Sequence, residues 1–264
     1  YIVGFPCQPF STMGLQRGMA DAQGRGTIFF GVFDYIQTKL PKIFILENVK
    51  GFSTIEKGRT MNKVLILLRQ IRNNKNEKWY NVHWKTLNTR DYGIPHSRPR
   101  WYCVGIRRDC STKESFEFPG HLECPSIDEM LDGQVKAPIR DIVSQVNSTM
   151  ARNIKMAKER IMKSGGNEHQ PYVVDCDAST QKSHEMYNIS PCITRSRNKG
   201  QWLIHKKRRT SIQEMMRLQG INPRTFVQVV SDAVLGEQLG NSMSVNVIEQ
   251  LMIEALKAAN LLLS

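Results

Sequence analysis

The 264-residue sequence predicts an α/β fold: a doubly wound, Rossmann-like sheet, truncated at its amino end, accompanied by a smaller irregular domain. Three observations predict it. Over the first 110 residues, short apolar runs of strand length alternate with amphipathic helical stretches. From about 111 that rhythm fails, and Pro119, Gly120, Pro125, Gly133, Pro138, Gly165, Gly166 and Pro171 punctuate segments with no sustained period. Near the carboxyl end a long amphipathic helix restores it. The expected division is 1–110 as an α/β half-domain, 111–205 as the second region, and 206–264 as the return to the first.

Tyr1-Ile2-Val3 is an apolar run that reads as a strand, and the Gly4-Phe5-Pro6-Cys7-Gln8-Pro9-Phe10-Ser11 stretch places Cys7 on the loop at its carboxyl end. Ile28, Val32, Tyr35 and Ile36 repeat at helical spacing until Pro41 stops them. Ile43 to Leu46 is short and wholly apolar, as a strand covered on both faces of a parallel sheet must be. Met61, Val64, Leu65, Leu68 and Ile71 line one face of a second helix, and Val82 to Leu87 and Trp101 to Ile106 are two more strands. In the second region one helix, roughly 147–163, carries Lys155, Lys158, Arg160 and Lys163, a face equally suited to solvent or to DNA. A further apolar-periodic stretch from Glu214 closes at Gly220 and Pro223. In the last helix Ser244 is the expected N-cap and Ile248, Leu251, Met252, Ala255, Leu256 and Ala259 the buried face.

Thirty-seven basic and 24 acidic side chains leave a net charge of +13, which suits a polyanionic partner. The excess is concentrated: no acidic residue lies between Glu185 and Glu214, whereas Arg195, Arg197, Lys199, Lys206, Lys207, Arg208 and Arg209 do. The six cysteines show neither a C-x-x-C pair nor zinc-finger spacing, so a reducing compartment is expected and no metal site. No stretch approaches 18 consecutive apolar residues and no signal peptide is visible, so a soluble, unsecreted monomer with no membrane contact is expected. The chain opens without Met, in mid-strand, and is expected to be a fragment.

Carboxyl ends of strands are where open α/β sheets hold ligands, and both Cys7 and Glu47 fall there. Taken singly each has a bland reading, Cys7 as a small buried hydrophobe and Glu47 as an exposed loop carboxylate. His96 is either a general base or a neutral hydrogen-bonding group.

Four blocks in this order, Gly4 to Ser11, Glu47-Asn48-Val49, Tyr92-Gly93-Ile94-Pro95-His96-Ser97-Arg98-Pro99-Arg100 and Gly240-Asn241-Ser242, resemble those of the cytosine-carbon-5 DNA methyltransferases. The resemblance runs from Tyr1 to about Leu256. It implies methyl transfer from S-adenosylmethionine to carbon 5 of a flipped-out cytosine in double-stranded DNA, through a covalent adduct. It implies Cys7 as the nucleophile that breaks the ring's aromaticity, Glu47 at N3, Arg100 at O2, and Arg98 supporting the loop. Pro6, Gln8, Asn241 and Ser242 are implied at the cofactor. The family's Gly-rich first turn, the rest of that pocket, is expected upstream of Tyr1. Residues 111–205 are implied to recognise the target, with Ser11, Arg195, Arg197, Lys206, Lys207 and Arg208 against DNA, and Arg208, Ser211, Glu214 and Arg217 to Gly220 resemble a block that braces that region. The family usually has Gln where His96 stands. The related tRNA cytosine methyltransferases carry a Cys-Phe-Thr tripeptide that this chain lacks, and an inactive nucleic-acid-binding relative is the other alternative. Basicity suggests a nuclear protein, or a cytoplasmic one in a prokaryote or virus.

Overall fold

In the computed structural model, residues 1–5, 28–111, 116–133 and 148–262 are described. Two compact units form: one of Tyr1–Asn88, Pro99–Gly120 and Val247–Ser264, the other of Thr89–Arg98 and His121–Asn246. The division differs from the expected one. The connection 89–98 and the stretch 206–246 are counted with the second unit.

In the first unit, strands β1 (Ile2–Gly4), β2 (Ile43–Val49), β3 (Tyr80–Asn88) and β4 (Pro99–Arg107) form one sheet in the order β1-β2-β4-β3. β1 and β2 are parallel, joined through a crossover that includes helix α1 (Ile28–Lys39). β4 runs antiparallel to both β2 and β3, so the sheet is mixed rather than the parallel one expected. The strand at its centre behaves as its composition requires: Phe44, Ile45 and Leu46 are at most 1% exposed. β1 pairs on one side only among the described residues, and Tyr1 and Ile2 remain more than a third exposed, so the strand is an edge here.

Helix α1 turns Phe29, Val32 and Ile36 inward and ends at Lys39, two residues before Pro41. Helix α2 (Arg59–Gln70) buries Met61, Val64, Leu65 and Leu68 on one stripe. Both feed one core with Phe5, Phe52, Tyr80 and Trp101. Phe52 meets Trp101 edge-on with centroids 4.8 Å apart, and Phe5 meets Phe52 in the same way at 5.4 Å.

The second unit carries a small antiparallel sheet of order β6-β5-β7-β8, built from Tyr172–Val174 (β5), Glu185–Tyr187 (β6), Trp202–Leu203 (β7) and Arg208–Arg209 (β8). Helix α3 (Thr149–Lys163) packs Ala157 and Ile161 against Val174, Cys176, Trp202 and Ile204. On its outer face Lys158 and Arg160 pair with Glu168 and Glu185. Helices α4 (Ile212–Leu218) and α5 (Asp232–Asn241) share a separate core with Ile94 and Ile193. Helix α6 (Val245–Ala258) buries Val247, Leu251, Ala255 and Ala258, while Met252 is exposed. Of the expected face, Leu251, Ala255 and Ala259 are buried, Ile248 and Leu256 are partly buried, and Met252 alone is exposed. Ser244, expected as the N-cap, directs its hydroxyl to Thr89 Oγ1 (2.6 Å) and Gln219 Oε1 (3.3 Å).

Candidate active site

The register of the first sheet assembles an acid–base pair at the carboxyl end of β2. Glu47 stands opposite Tyr102, and Val49 opposite Arg100. Side chains alternate faces along a strand, so Glu47 and Arg100 are diagonal neighbours on one face. Arg100 Nε lies 3.1 Å from Glu47 Oε1, and both side chains are close to nine-tenths buried. A second guanidinium bond, from Nη1 to the Pro99 carbonyl (2.9 Å), helps fix the arginine. Gly4 pairs with Glu47 on the opposite side, which brings the exit of β1 to the same strand end. On the other face of β2, Asn48 and Trp101 are register partners. Asn48 Nδ2 and Trp101 Nε1 are buried donors with no partner among the described residues.

The connection from β3 to β4 carries the other arginine. Gly93, at φ +81°, sits where a side chain would be strained, and Tyr92 and Pro95 flank it. Arg98 is 2% exposed. It donates from Nη1 to the Ile193 carbonyl (2.6 Å) and from Nη2 to the carbonyls of Gly240 (3.2 Å) and Ser242 (2.5 Å). His96 is fully buried: Nδ1 lies 2.9 Å from the Leu218 carbonyl, and Nε2 accepts from the Ile193 N–H at 3.0 Å. Both ring nitrogens are committed to the backbone, so the general-base alternative is corrected. A base needs a lone pair that faces a substrate.

Comparison with known proteins decides the family. The profile of the C-5 cytosine-specific DNA methylase family matches residues 1–257. The chain belongs to the C-5 cytosine-specific DNA methylases. It is 33% identical over 250 residues to the Type II methyltransferase M.NgoBI of Neisseria gonorrhoeae, covering 94% of this chain and 71% of that one. To M.HhaI of Haemophilus parahaemolyticus it is 30% identical over 256 residues, covering 93% and 72%. Among solved structures, Entamoeba histolytica EhMeth aligns with a TM-score of 0.61 at 20% identity, covering 97% of this chain and 76% of that one. The S. pombe Dnmt2 methyltransferase gives 0.58 at 20%, covering 98% and 77%. These two speak for the fold alone. The curated relatives named are bacterial, which gives no support to a nucleus. No described helix is long and apolar enough to cross a membrane.

The other expected site residues of this methylase fare unevenly. Cys7, Pro6, Gln8 and Ser11 lie outside the described residues. Asn241 is exposed on the last residue of α5, and Ser242 beyond it is half-buried, its hydroxyl given to the Leu239 carbonyl (2.8 Å). Two of the basic residues expected on DNA are corrected. Arg197 is buried with Nε and Nη2 on the Asp175 carboxylate, at 2.5 and 3.1 Å. Arg208 is buried against Glu214, with both terminal nitrogens on that carboxylate at 2.8 and 2.7 Å. Neither has its donors turned outward to a phosphate. Arg195 is 61% exposed and pairs with Glu237 at 3.0 Å, while Lys206 and Lys207 are exposed in the turn before β8.

Proposed function

We propose that the chain is the catalytic region of a DNA (cytosine-5)-methyltransferase that works through a covalent cysteine adduct on a flipped-out base. The observation that carries this reading is the Glu47–Arg100 pair at the carboxyl end of β2, beside Gly4, from which the chain leads within three residues to Cys7. Carbon 5 of cytosine is a poor nucleophile in an aromatic ring. The Cys7 thiolate adds to carbon 6, forming the S–C6 bond and pushing the ring's π electrons towards N3 and O2. The Glu47 carboxyl meets the N3 edge and the Arg100 guanidinium meets O2, stabilising that charge in a site screened from water. Carbon 5, now enamine-like, is the nucleophile. Loss of its proton afterwards expels the thiolate and restores the ring. A stacked base cannot present carbon 6 to a thiol, so the target leaves the duplex at a cost of a few kcal/mol.

Bound S-adenosylmethionine supplies the electrophilic methyl group. Pro6, Gln8, Asn241 and Ser242 are proposed to hold it, and the exposed amide of Asn241 fits that role by offering both a donor and an acceptor. Ser242 has its main-chain carbonyl and its hydroxyl already engaged, so its share of the pocket is to hold Asn241 in place. Residues 111–205 are proposed to read the target sequence, with Ser11, Arg195, Lys206 and Lys207 on the DNA.

Trapping on duplex DNA containing 5-fluorocytosine tests the reading, because fluorine at carbon 5 blocks the final elimination and preserves the adduct. Cys7→Ala should abolish trapping and methyl transfer while sparing DNA affinity. Glu47→Gln should lower the chemical step by about 10²-fold or more. Trapping that survives Cys7→Ala, or methyl transfer to tRNA in preference to DNA, would overturn the proposal.

A further inference from the structure

We infer that His96 is a positioning residue: through the peptide of Ile193 it fixes the arginine loop to the segment that ends the target-recognition region. The inference rests on the methyltransferase reading above. Its basis is the way the loop and that segment interlock. Ser97 N–H donates to the Ser190 carbonyl and Ser190 N–H to the Pro95 carbonyl, both at 2.8 Å, so 95–97 and 190 pair as short strands do. Three residues further on, Ile193 is held from both sides of its peptide links. His96 Nε2 takes its N–H at 3.0 Å, and Arg98 Nη1 gives to its carbonyl at 2.6 Å.

The geometry assigns the imidazole its tautomer. The Leu218 carbonyl can only accept, so Nδ1 carries the proton; the Ile193 N–H can only donate, so Nε2 presents a lone pair. One neutral ring therefore bridges the end of α4 to the Ile193 segment, and no water or solvent reaches it, since His96 is fully buried. Arg98 then extends the link to the Gly240 and Ser242 carbonyls at the end of α5. Arg100 follows Arg98 by two residues. The loop that His96 holds therefore leads directly along the chain to Arg100. Glutamine offers one acceptor oxygen and an amide donor on a side chain of comparable reach, so it can repeat both bonds. Leucine can repeat neither.

The test compares His96→Gln and His96→Leu with the parent chain, per folded molecule. Three quantities are measured: single-turnover methyl transfer to duplex DNA, DNA affinity by anisotropy, and hydrogen exchange of the Ile193 amide. With His96→Gln, transfer should stay within about threefold of the parent and the Ile193 amide should stay protected. With His96→Leu, the amide should exchange faster and the chemical step should fall by about 10²-fold, the scale of an ångström-sized displacement of a catalytic group, with DNA affinity within about threefold. Equal losses in the two variants, unchanged Ile193 exchange in His96→Leu, or a loss confined to DNA affinity would overturn the inference. Absence of methyl transfer by the full-length parent protein would overturn the proposed function instead, and the exchange arm would still decide the role of His96.

Discussion

Replacing Arg208 with alanine separates a side chain that holds the second unit together from one that touches DNA. Glu214 is fully buried, and its carboxylate accepts from Arg208 Nη1 (2.8 Å), Arg208 Nη2 (2.7 Å), Asp132 N–H (2.8 Å) and Ser211 N–H (2.7 Å). Alanine deletes two of these four bonds together with the guanidinium countercharge. Removing one partner of a buried ion pair costs about 3–5 kcal/mol, because the remaining charge cannot recover its hydration. At about 2–4 °C per kcal/mol for domains of 150–250 residues, melting should fall by roughly 6–20 °C. Adding Glu214→Gln should restore part of the loss, since the amide keeps an acceptor and sheds the charge.

The same carboxyl gives a pH arm. Burial alone pushes Glu214 up, but the hydrogen bonds from Arg208, Asp132 and Ser211 and the charge of Arg208 outweigh it and hold the group below its ordinary 4.5. A carboxyl depressed in the folded state contributes stability above its unfolded pKa and loses it as pH falls through the folded value. The parent should therefore lose stability on acidification below about 4.5 through this group, and the component should be absent from the Arg208→Ala, Glu214→Gln double variant. Circular-dichroism melting and anisotropy with duplex DNA on the same preparations are the assays. Unchanged melting with weaker DNA binding, and a salt slope smaller by about one, would show that Arg208 is a phosphate contact and refute the reasoning.

Reversing the charge of Lys206 and Lys207 should weaken binding to all duplexes alike and reduce the salt slope by about two, with melting unchanged; an altered sequence preference would show that they read bases. Gly240→Ala should destabilise the second unit by about 1–3 kcal/mol or more, because the new Cβ would lie 2.2 Å from Arg195 N and Thr194 C, backbone atoms that cannot rotate away. Thermal melting checks it, and a neutral outcome would mean that α5 moves freely against 194–198.

The first unit is legible because its elements are long enough to show a period. β2, β3 and β4 have seven to nine residues and α1 and α2 twelve each, and every one is visible in the sequence within a few residues. The direction of β4 had a signal too. Only ten residues, 89–98, join β3 to β4, and a parallel crossover needs a dozen or more, usually with a helix. In the second unit β5 to β8 have two or three residues each, too few for any alternation to register. Helix α5 escapes notice for a different reason. Two of its four buried residues are Gly236 and Gly240, which lie so close to the backbone at Asn198 and at Thr194 and Arg195 that no Cβ fits, so only Leu235 and Leu239 remain as an apolar signal, too few to register as a stripe. Ser231, which caps it through its bond to the Val234 N–H, was the remaining clue.

At the site the limit is pairing at a distance. Glu47 and Arg100 are 53 positions apart, and what makes them a pair is strand register, which each strand's own sequence leaves open until its partner is known. The basic run shows the same limit with the opposite outcome. Between Glu185 and Glu214 no carboxylate is present, and composition alone reads the seven cations there as an open electrostatic surface. Folding brings carboxylates from elsewhere to five of them: Asp128 to Lys206, Asp175 to Arg197, Asp177 to Arg209, Glu214 to Arg208 and Glu237 to Arg195. Burial then sorts these pairs. Arg197 and Arg208 lose their water and become internal struts, whereas Arg195 and Lys206 keep enough exposure that a phosphate can displace the carboxylate at little cost, since an exposed pair is worth only about 0–1 kcal/mol. A count of charges along the chain therefore bounds how positive the surface can be, and the partners' burial decides how much of that charge is left for a polyanion to meet.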